Sequence, residues 1–298
     1  MRDVVLIVNP FATRVNGETA RAVERALARD HHVMTVVTER RGHAAEIAKD
    51  AGRSADAVVV FSGDGGFNEV VNGSDGSVPL GFVPGGGTSV LPRALGLPRD
   101  PVKAAGRIAD ALASGRSRRI SVGRVNGRRF TFSAGLGIDA EAVRRIDARG
   151  RTSDGRRPGD LSFALEISRI VAERRGRFEP RLEIEGLGRA AFALVANTHT
   201  YTFAGRLPLR VAPAARFECG LDVLAPRYVR PRSIPRLLAS ITIGRGHTSA
   251  ADIAYAHDLD RVVVRCDEPM PLQVDGEDLG DVLEAVFEAE RGAVRVLA

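Results

Sequence analysis

The stretch with the clearest chemical potential covers residues 62–69, Ser-Gly-Asp-Gly-Gly-Phe-Asn-Glu, directly after the apolar segment 57–61. Such an apolar run predicts a buried strand. A glycine-rich turn after a strand lets backbone N–H groups approach a ligand closely, because no Cβ stands in the way. The helix expected next, from about Phe67 to Asn72, directs the positive end of its dipole at the same point. This geometry suits a phosphate, and Asp64 within the turn would reach a ribose, a bound metal or a neighbouring cation.

A second turn of the same kind strengthens this interpretation, because the first alone could equally be an ordinary tight turn. Residues 84–89, Pro-Gly-Gly-Gly-Thr-Ser, follow a second predicted strand at 79–83. A short helix is expected to begin at Ser89 or Val90 and to end near Gly96, where glycine can form a left-handed cap. The carboxyl ends of neighbouring parallel strands form the crevice in which open α/β sheets bind ligands. The two turns together therefore predict a nucleotide site.

The elements that would position these turns alternate between strand and helix through the first 120 residues or so. The pattern predicts a parallel sheet with helices on both faces. Asp100-Pro101 is expected to open a further helix, with Asp100 as its cap. The remaining elements predicted for this part are strands at 3–8 and 33–37 and helices at 18–28 and 43–51.

From about Arg118 the pattern changes to short alternating segments. Asn126-Gly127 between segments 120–125 and 129–133 is a strong hairpin signal. We therefore predict two domains, an α/β nucleotide-binding domain at 1–118 and a β-rich domain from 119 to 280. Further strands are expected at 181–185, 190–196, 221–225, 261–266 and 271–274, and helices at 138–148, 161–173 and 233–240.

The bulk composition indicates a globular protein. The chain has 298 residues, of which 44% are hydrophobic and 27% charged, and this length suits about two domains. No apolar run approaches the ~20 residues that span a bilayer, and the first apolar stretch is too short for a signal peptide. We therefore expect a cytoplasmic location. The two cysteines form no CxxC and no HExxH occurs, which disfavours a disulfide framework and a transition-metal site.

The net charge of +6 comes almost wholly from arginine. Genome composition explains such a bias, and so does a surface that meets anions such as a nucleotide, acidic lipid headgroups or nucleic acid. Only 5% of residues are aromatic and tryptophan is absent, which argues against a nucleic-acid partner because base stacking needs aromatic platforms. The basic, glycine-rich segment 149–159 is expected to be a solvated loop or a basic lip that touches an anionic membrane.

Short motifs along nearly the whole chain resemble, in order, those of the diacylglycerol-kinase-like lipid kinases, a family that includes the bacterial diacylglycerol, YegS-type, sphingosine and ceramide kinases. One such motif would be weak support, whereas the ordered set is specific. The segments that carry the resemblance are Asn9-Pro10, Thr38 with Gly42-His43-Ala44, residues 62–73 against GGDGT…NEVVNG, residues 84–98 against P-x-G-T-x-N…R-x-L-G, residues 135–140 against G-x-G-[FI]-D-A, and Asp275-Gly276-Glu277 at the DGE.

The resemblance implies an N-terminal domain like that of the NAD kinases and a C-terminal β-rich, sandwich-like domain, with residues 281–298 returning to the first. It also implies transfer of the γ-phosphate of ATP, with Mg²⁺, to a diacylglycerol-like lipid hydroxyl in the interdomain cleft. Glu277 would be the general base, with Asp275 beside it and Asp64 in the nucleotide turn. The residues implied to bind the nucleotide are Asn9, Thr38, Ser62, Gly63, Asp64, Gly65, Gly66, Glu69, Gly86, Gly87 and Thr88.

The partners implied are a lipid alcohol and an anionic membrane, which the chain would contact peripherally at the inner membrane face. A homodimer would be unsurprising. The sequence leaves open which lipid is phosphorylated: diacylglycerol, phosphatidylglycerol, a sphingoid base or a polyprenol-type alcohol.

Several positions depart from the family pattern. Ser62 stands at its first glycine and Gly66 at its threonine, and the threonine of the second loop aligns with Gly87 or Thr88. An accessory Mg²⁺ of some bacterial members would involve Glu218 and Leu221 here, with Cys219 at the position of the aspartate. Two alternatives therefore stay open: a family member with weakened catalysis that binds nucleotide or lipid, and a kinase of a soluble substrate such as NAD.

Overall fold

The structure is a computed structural model that describes residues 1–148, 160–205 and 207–298. The chain divides into two compact units, Met1–Ile120 together with Gly292–Ala298, and Ser121–Arg291. The first unit is α/β and the second is rich in β-strands, so the expected fold class is confirmed. The basic segment 149–159 lies outside the described residues.

The first unit is built on a parallel sheet, as the alternating pattern predicted. Its strand order is β2-β1-β3-β4, and every neighbouring pair is parallel. Because parallel strands share one direction, their carboxyl ends meet at one edge of the sheet, where the polar and glycine residues follow. The four strands are β1 (Asp3–Val8), β2 (His32–Val37), β3 (Ala57–Ser62) and β4 (Leu80–Pro84).

Three helices connect these strands and two more follow β4, and two of the five begin at caps visible in the sequence. The Asn16 side chain accepts hydrogen bonds at the start of α1, and Asp100 accepts from the Lys103 N–H at the start of α5. A buried apolar cluster that includes Leu6, Val59 and Ile108 joins strands to helices. The helices are α1 (Gly17–Ala28), α2 (His43–Ala51), α3 (Asp64–Gly73), α4 (Val90–Ala94) and α5 (Pro101–Ala113).

A returning strand completes the first sheet. The long strand β16 (Glu277–Leu297) ends in this unit, where Val296 and Leu297 pair in parallel with Leu80 and Gly81 of β4. The residues from Gly292 onward belong to the first unit, whereas residues 284–288 pair with the preceding strand in the second unit.

The second unit is dominated by antiparallel strands in the order β14-β13-β10-β7-β15-β16. A core cluster with Phe130, Leu136, Val264 and Phe287 lies on this sheet. The strands that begin in or enter this unit are β5 (Arg118–Val125), β6 (Arg128–Phe130), β7 (Ser133–Leu136), β8 (Leu182–Ile184), β9 (Gly188–Ala190), β10 (Ala193–Ala196), β11 (Thr202–Ala204), β12 (Leu207–Leu209), β13 (Leu221–Pro226), β14 (Ile253–Leu259) and β15 (Arg261–Val274).

Two tight hairpin turns in this unit use left-handed backbone at both central positions. Asn126 and Gly127 join β5 to β6 with φ of +47° and +89°, which confirms the predicted hairpin. Asp275 and Gly276 join β15 to β16 with φ of +47° and +79°. This backbone is typical of two-residue type I′ turns, which favour asparagine or aspartate followed by glycine.

Three helices cover a second apolar cluster of this unit, which includes Ile170, Phe178 and Phe192. They are α6 (Ile138–Ala148), α7 (Asp160–Glu173) and α8 (Ile234–Ile243), the last preceded by a 3₁₀ turn at Pro231–Ser233. Within the described residues, no helix has both the length and the apolar character needed to cross a bilayer.

Candidate functional site

The two glycine turns of the first unit lie directly against each other. Gly63 follows β3 and Gly86 follows β4, and a Cβ built on Gly86 would stand 2.9 Å from the Gly63 Cα. The Gly85 N–H also donates to the Ser62 carbonyl at 2.7 Å. The approach is too close for a side chain at Gly86, so packing requires glycine there.

The helix after the first turn begins earlier than predicted. We expected α3 to begin near Phe67 after a loop, but it begins at Asp64, with Gly63 as its extended N-cap. Gly65 and Gly66 therefore lie in the first helical turn, where N–H groups have no intrahelical acceptor. No side chain caps this end, so it offers N–H donors and the positive end of the dipole to an anion.

Ser62 and Asn9 form a hydrogen bond at the carboxyl edge of the sheet. Asn9 Nδ2 donates to Ser62 Oγ at 3.0 Å, while Asn9 Oδ1 accepts from the Phe11 N–H. A Cβ built on Gly66 would stand 2.7 Å from the Ser62 Cβ and closer still to its Oγ. The Ser62 side chain thus occupies the space next to Gly66.

Asp64 connects the two turns through its carboxylate. Asp64 Oδ1 accepts from the Leu91 N–H at 3.3 Å, in the first turn of α4. The Ser89 hydroxyl, at the cap position of α4, instead bonds back to the backbone of Gly86. Asp64 therefore holds the start of α4 against the start of α3.

The outer part of the second turn is open. A Cβ built on Gly87 would meet no atom within 4 Å, and Gly87 has no positive φ. Thr88 is partly exposed, and its carbonyl accepts from Arg93 Nη1 at 3.4 Å. A side chain at position 87 therefore has room that position 66 lacks.

Thr38 and Glu69, two further predicted site residues, make hydrogen bonds elsewhere in the first unit. Thr38 is buried, and its N–H donates to the Val8 carbonyl at 2.9 Å, directly after β2. Glu69 Oε2 accepts from the Ala44 N–H at 3.2 Å, in the first turn of α2. Since Gly42 at the cap of that helix has no side chain, Glu69 supplies the missing cap, a structural role that sequence reasoning did not consider.

Arg14 is a candidate that the sequence analysis missed. Its N–H donates to the Gly85 carbonyl at 2.8 Å, which ties segment 10–15 to the second turn, and its side chain is exposed. A cation five residues after Asn9, the residue that follows β1, was the available signal.

In the second unit, the Asp275 carboxylate is buried and accepts four hydrogen bonds. The donors are the Thr131 N–H at 2.7 Å, the Thr131 hydroxyl at 2.9 Å, the Phe132 N–H at 3.0 Å and the Ser133 N–H at 3.2 Å. A carboxylate has about four acceptor sites, and these bonds use them. The geometry makes Asp275 an anchor of the turn.

Glu277, two residues later, is differently placed. Its side chain is 18% exposed, and Glu277 Oε2 lies 3.3 Å from Arg128 Nη2. Next to it, Asp278 accepts a bidentate pair of hydrogen bonds from Arg144 on α6, at 2.9 and 3.1 Å. The hairpin turn therefore presents two partly accessible carboxylates, Glu277 and Asp278, each paired with an arginine.

Asp139 on α6 is connected to the same turn through hydrogen bonds of Gln273. Gln273 Nε2 donates to Asp139 Oδ2 at 2.9 Å, and Gln273 Oε1 accepts from the Gly276 N–H at 2.8 Å. Tyr201 also donates its hydroxyl to Asp139 Oδ2, while Oδ1 is buried with no hydrogen-bond partner among the described residues. Burial raises the pKa of Asp139 to about 6, although these hydrogen bonds oppose the shift.

The residues proposed for an accessory Mg²⁺ do not fit such a site. Leu221 is fully buried in the core, Glu218 is exposed, and Cys219 offers sulfur where Mg²⁺ prefers oxygen. Nearby, the Gly220 N–H donates to Asp258, which also pairs with Arg291. Across the described part of the chain, no three His, Cys, Asp or Glu side chains are grouped to hold a metal ion.

Comparison with known proteins identifies what this arrangement is similar to. The chain matches two family profiles, described as diacylglycerol kinase catalytic domain over residues 3–125 and YegS C-terminal NAD kinase beta sandwich-like domain over residues 133–298. It is 29% identical to a diacylglycerol kinase of Bacillus subtilis (strain 168) over 295 residues, which is 96% of this chain and 93% of that protein. It is 28% identical to a diacylglycerol kinase of Staphylococcus carnosus (strain TM300) over 241 residues, 78% and 73% of the two chains.

Solved structures show the same fold. A crystal structure of a diacylglycerol kinase from Bacillus anthracis str. Sterne is similar with a TM-score of 0.72 and 20% identity, covering 99% of this chain and 96% of that one. An NAD kinase from Archaeoglobus fulgidus in complex with ATP is similar with a TM-score of 0.54 and 12% identity, covering 99% and 93%. The NAD-kinase-like fold expected from the sequence is thereby confirmed.

Proposed function

Because the chain belongs to the diacylglycerol kinase catalytic-domain family, we propose that it transfers the γ-phosphate of ATP to the hydroxyl of a diacylglycerol-like lipid. The observation that carries the proposal is the contact of the turns at Gly63 and Gly86 beside the uncapped start of α3. Backbone N–H groups and a helix dipole that converge without side chains between them suit a polyphosphate.

The phosphate chain would bind to groups of the first unit. The N–H groups of Gly65 and Gly66 would donate to it, the Ser62 hydroxyl would donate beside them, and Arg14 would pair with its charge. Mg²⁺ carried with ATP would neutralise charge on the phosphates, and Asp64 is the carboxylate of this site that would hold it. Asn9 would orient the Ser62 hydroxyl through their hydrogen bond.

The lipid hydroxyl would be activated by Glu277. Its carboxylate would take the hydroxyl proton while the hydroxyl oxygen forms a bond to the γ-phosphorus. The bond from that phosphorus to the β–γ bridging oxygen breaks, and ADP leaves with the electron pair. We propose Asp275 as a positioning residue, because its four hydrogen bonds fix the turn from which Glu277 projects.

The chain would meet its acceptor at a membrane. A diacylglycerol-like acceptor resides in a bilayer, so we propose a cytoplasmic protein that contacts an anionic membrane peripherally. Its partners would be ATP, Mg²⁺ and a lipid alcohol, and a homodimer would be compatible with binding all three.

The test is transfer of labelled phosphate from γ-labelled ATP with Mg²⁺ to lipid alcohols in mixed micelles. The acceptors are diacylglycerol, phosphatidylglycerol, a sphingoid base and a polyprenol, with NAD as the soluble comparison. We expect a labelled lipid from the parent chain. Glu277→Gln should lower kcat by about 10²- to 10⁴-fold while ATP affinity, measured by calorimetry, stays within about twofold.

Glu290→Gln is the matched control for the base. Glu290 lies on the same strand, is also 18% exposed and is also paired with an arginine, Arg129. It should leave kcat within about twofold of the parent. Equal losses in both variants would refute Glu277 as the base, and label appearing in NAD alone would replace the lipid with a soluble acceptor.

A further inference from the structure

Helix α8 lies on the surface of the second unit with an unusual degree of apolar exposure. None of its ten residues is buried, and the side chains of Leu238 and Ile243 are 59% and 65% exposed. Ile234, Leu237 and Ile241 pack partly against the apolar cluster beneath the helix. The helix therefore has an apolar inner face and a second apolar face turned to solvent.

The outer face contains no charged side chain. Pro235, Leu238, Ala239 and Thr242 are all exposed, and their spacing of i, i+3, i+4 and i+7 puts them in one stripe. The Thr242 hydroxyl donates to the Leu238 carbonyl at 2.9 Å, so its hydrogen bond is satisfied within the helix. A stripe of this kind gains little from contact with water.

The charged residue within the helix does not interrupt the stripe. Arg236 is bound to the Asp252 carboxylate, with Nη2 at 2.7 Å from Oδ1. This ion pair fixes the guanidinium at the flank of the helix. The outer stripe therefore contains no charged side chain, although a charged side chain lies beside it.

The surroundings of α8 are strongly basic. No aspartate or glutamate occurs between Asp222 and Asp252, a stretch that contains five arginines at 227, 230, 232, 236 and 245. Arg232 precedes the helix and Arg245 follows it. Both are exposed, and neither side chain has a hydrogen bond or ion pair within the described part of the chain. An unpaired cation thus stands at each end of the apolar stripe.

We propose that α8 is the surface with which the chain lies on an anionic bilayer. The outer stripe would enter the boundary between headgroups and acyl chains, while Arg232 and Arg245 pair with lipid phosphates. The proposal deepens the proposed function and rests on it in one respect, since the proposed acceptor resides in that bilayer. A second copy of the chain is a poorer occupant, because the stretch offers only arginines to the arginines of its counterpart.

Vesicle flotation tests the surface without any need for catalysis. The full chain is mixed with phosphatidylcholine vesicles with or without about 30% phosphatidylglycerol, and the bound fraction is measured. We expect binding to the anionic vesicles only. Leu238→Glu should weaken it at least about tenfold, because a charge then enters the stripe.

Leu283→Glu is the matched control. Leu283 belongs to the same unit and its side chain is also 59% exposed, but it lies on β16. It should bind vesicles within about twofold of the parent. Circular dichroism checks that both variants are folded, and equal binding by the two would overturn the proposal.

Charge is tested with a second matched pair. Arg232→Glu/Arg245→Glu should weaken binding by about fivefold or more per arginine and reduce its sensitivity to salt. Arg181→Glu/Arg265→Glu changes the net charge equally, at exposed arginines paired with Glu268 and Glu284 on other elements. Equal loss in both double variants would mean that total charge, and not α8, drives binding, which would contradict the proposal.

Failure of docking and failure of catalysis are separable. On a short-chain, water-soluble diacylglycerol without vesicles, Leu238→Glu should match the parent in phosphate transfer, whereas on vesicles it should be slower. Transfer to no acceptor together with intact flotation would defeat the proposed kinase and leave the surface standing. The parent could instead sediment as a dimer that Leu238→Glu converts to a monomer, and show no vesicle binding. That result would make α8 a contact between two copies of the chain and would overturn the proposal that it binds a bilayer.

Discussion

The Ser62 side chain fills the space that any side chain at Gly66 would need, so these two residues form one packing unit at the start of α3. The Cβ of Ser62 would lie 2.7 Å from a Cβ at position 66, and rotating the hydroxyl cannot remove that overlap. The family pattern has glycine at the position of Ser62 and threonine at the position of Gly66. This chain therefore has its hydroxyl at the last residue of β3, and it has none at position 66 in the first turn of α3.

We expect Gly66→Thr alone to damage the protein. Overpacking of this kind costs about 1–3 kcal/mol in the free energy of unfolding, and displacement of α3 should weaken ATP binding at least tenfold. The double variant Ser62→Gly/Gly66→Thr should recover both. Urea unfolding and calorimetric titration with ATP measure the two effects. If Gly66→Thr alone binds ATP as well as the parent does, the claim that Ser62 and a side chain at position 66 compete for the same space is refuted.

The second turn offers a paired test of backbone approach. In Gly86→Ala the added Cβ would stand 2.9 Å from the Gly63 Cα, so the turns must separate. We expect ATP affinity to fall by about tenfold or more and stability by about 1–3 kcal/mol. In Gly87→Ala the Cβ enters open space, and both quantities should stay close to the parent's. Similar effects from the two neighbouring substitutions would show that packing of the turns is not what matters.

Asp275 and Glu277 should separate stability from catalysis. Asp275→Asn replaces one acceptor oxygen with an NH2 group, which cannot accept hydrogen bonds. The bonds from Thr131, or those from Phe132 and Ser133, are then lost, depending on which oxygen is replaced. Loss of buried hydrogen bonds to a charged group should lower the free energy of unfolding by about 2–5 kcal/mol. Glu277→Gln, which removes a partly exposed carboxylate, should change it by less than about 1 kcal/mol. Thermal and urea unfolding of both variants give the comparison, and the reverse order would refute these roles.

Asp139 should make the stability of the chain depend on pH between about 4 and 6. Burial raises its folded pKa to about 6 from an ordinary value of 3.8, so folding favours the neutral carboxyl. The stabilisation that the neutral Asp139 carboxyl gives to the folded chain is complete below about pH 4, and it is lost as pH rises through the folded pKa. The loss is about 3 kcal/mol, at 1.36 kcal/mol for each unit of pKa.

Asp139→Asn removes this titration and retains an acceptor for Gln273. We therefore expect the variant to gain stability relative to the parent as pH rises from 4 to 7, measured by urea unfolding at each pH. A difference that stays constant over that range would mean that Asp139 does not titrate there.

The sequence pattern was most informative where one local signal sufficed. Strands β1 and β3 are short apolar runs, Asp100-Pro101 opens α5, and the Asn126-Gly127 turn forms with left-handed backbone. Each of these depends on residues adjacent in the chain. The fold class follows from their alternation.

The predicted start of α3 was wrong because glycines have low helix propensity. In the structure the helix nevertheless begins at Asp64, whose carboxylate accepts a hydrogen bond from the distant Leu91 N–H. The role of Asp275 was hidden for a different reason. Its donors lie 142–144 residues away, at a separation that no local pattern reports. The cap that Glu69 provides to α2 is likewise a contact between distant segments.

Strand β16 has a consequence for the order in which the protein is made. Gly292–Ala298 complete the sheet of the first unit beside β4, yet 171 residues, from Ser121 to Arg291, are translated in between. At about 5–20 residues per second, the nascent first unit waits roughly 10–30 s with the edge of β4 unpaired. During synthesis, therefore, the first unit begins to emerge before the second but is completed after it, and that open edge is the point at which a chaperone or another chain can bind it.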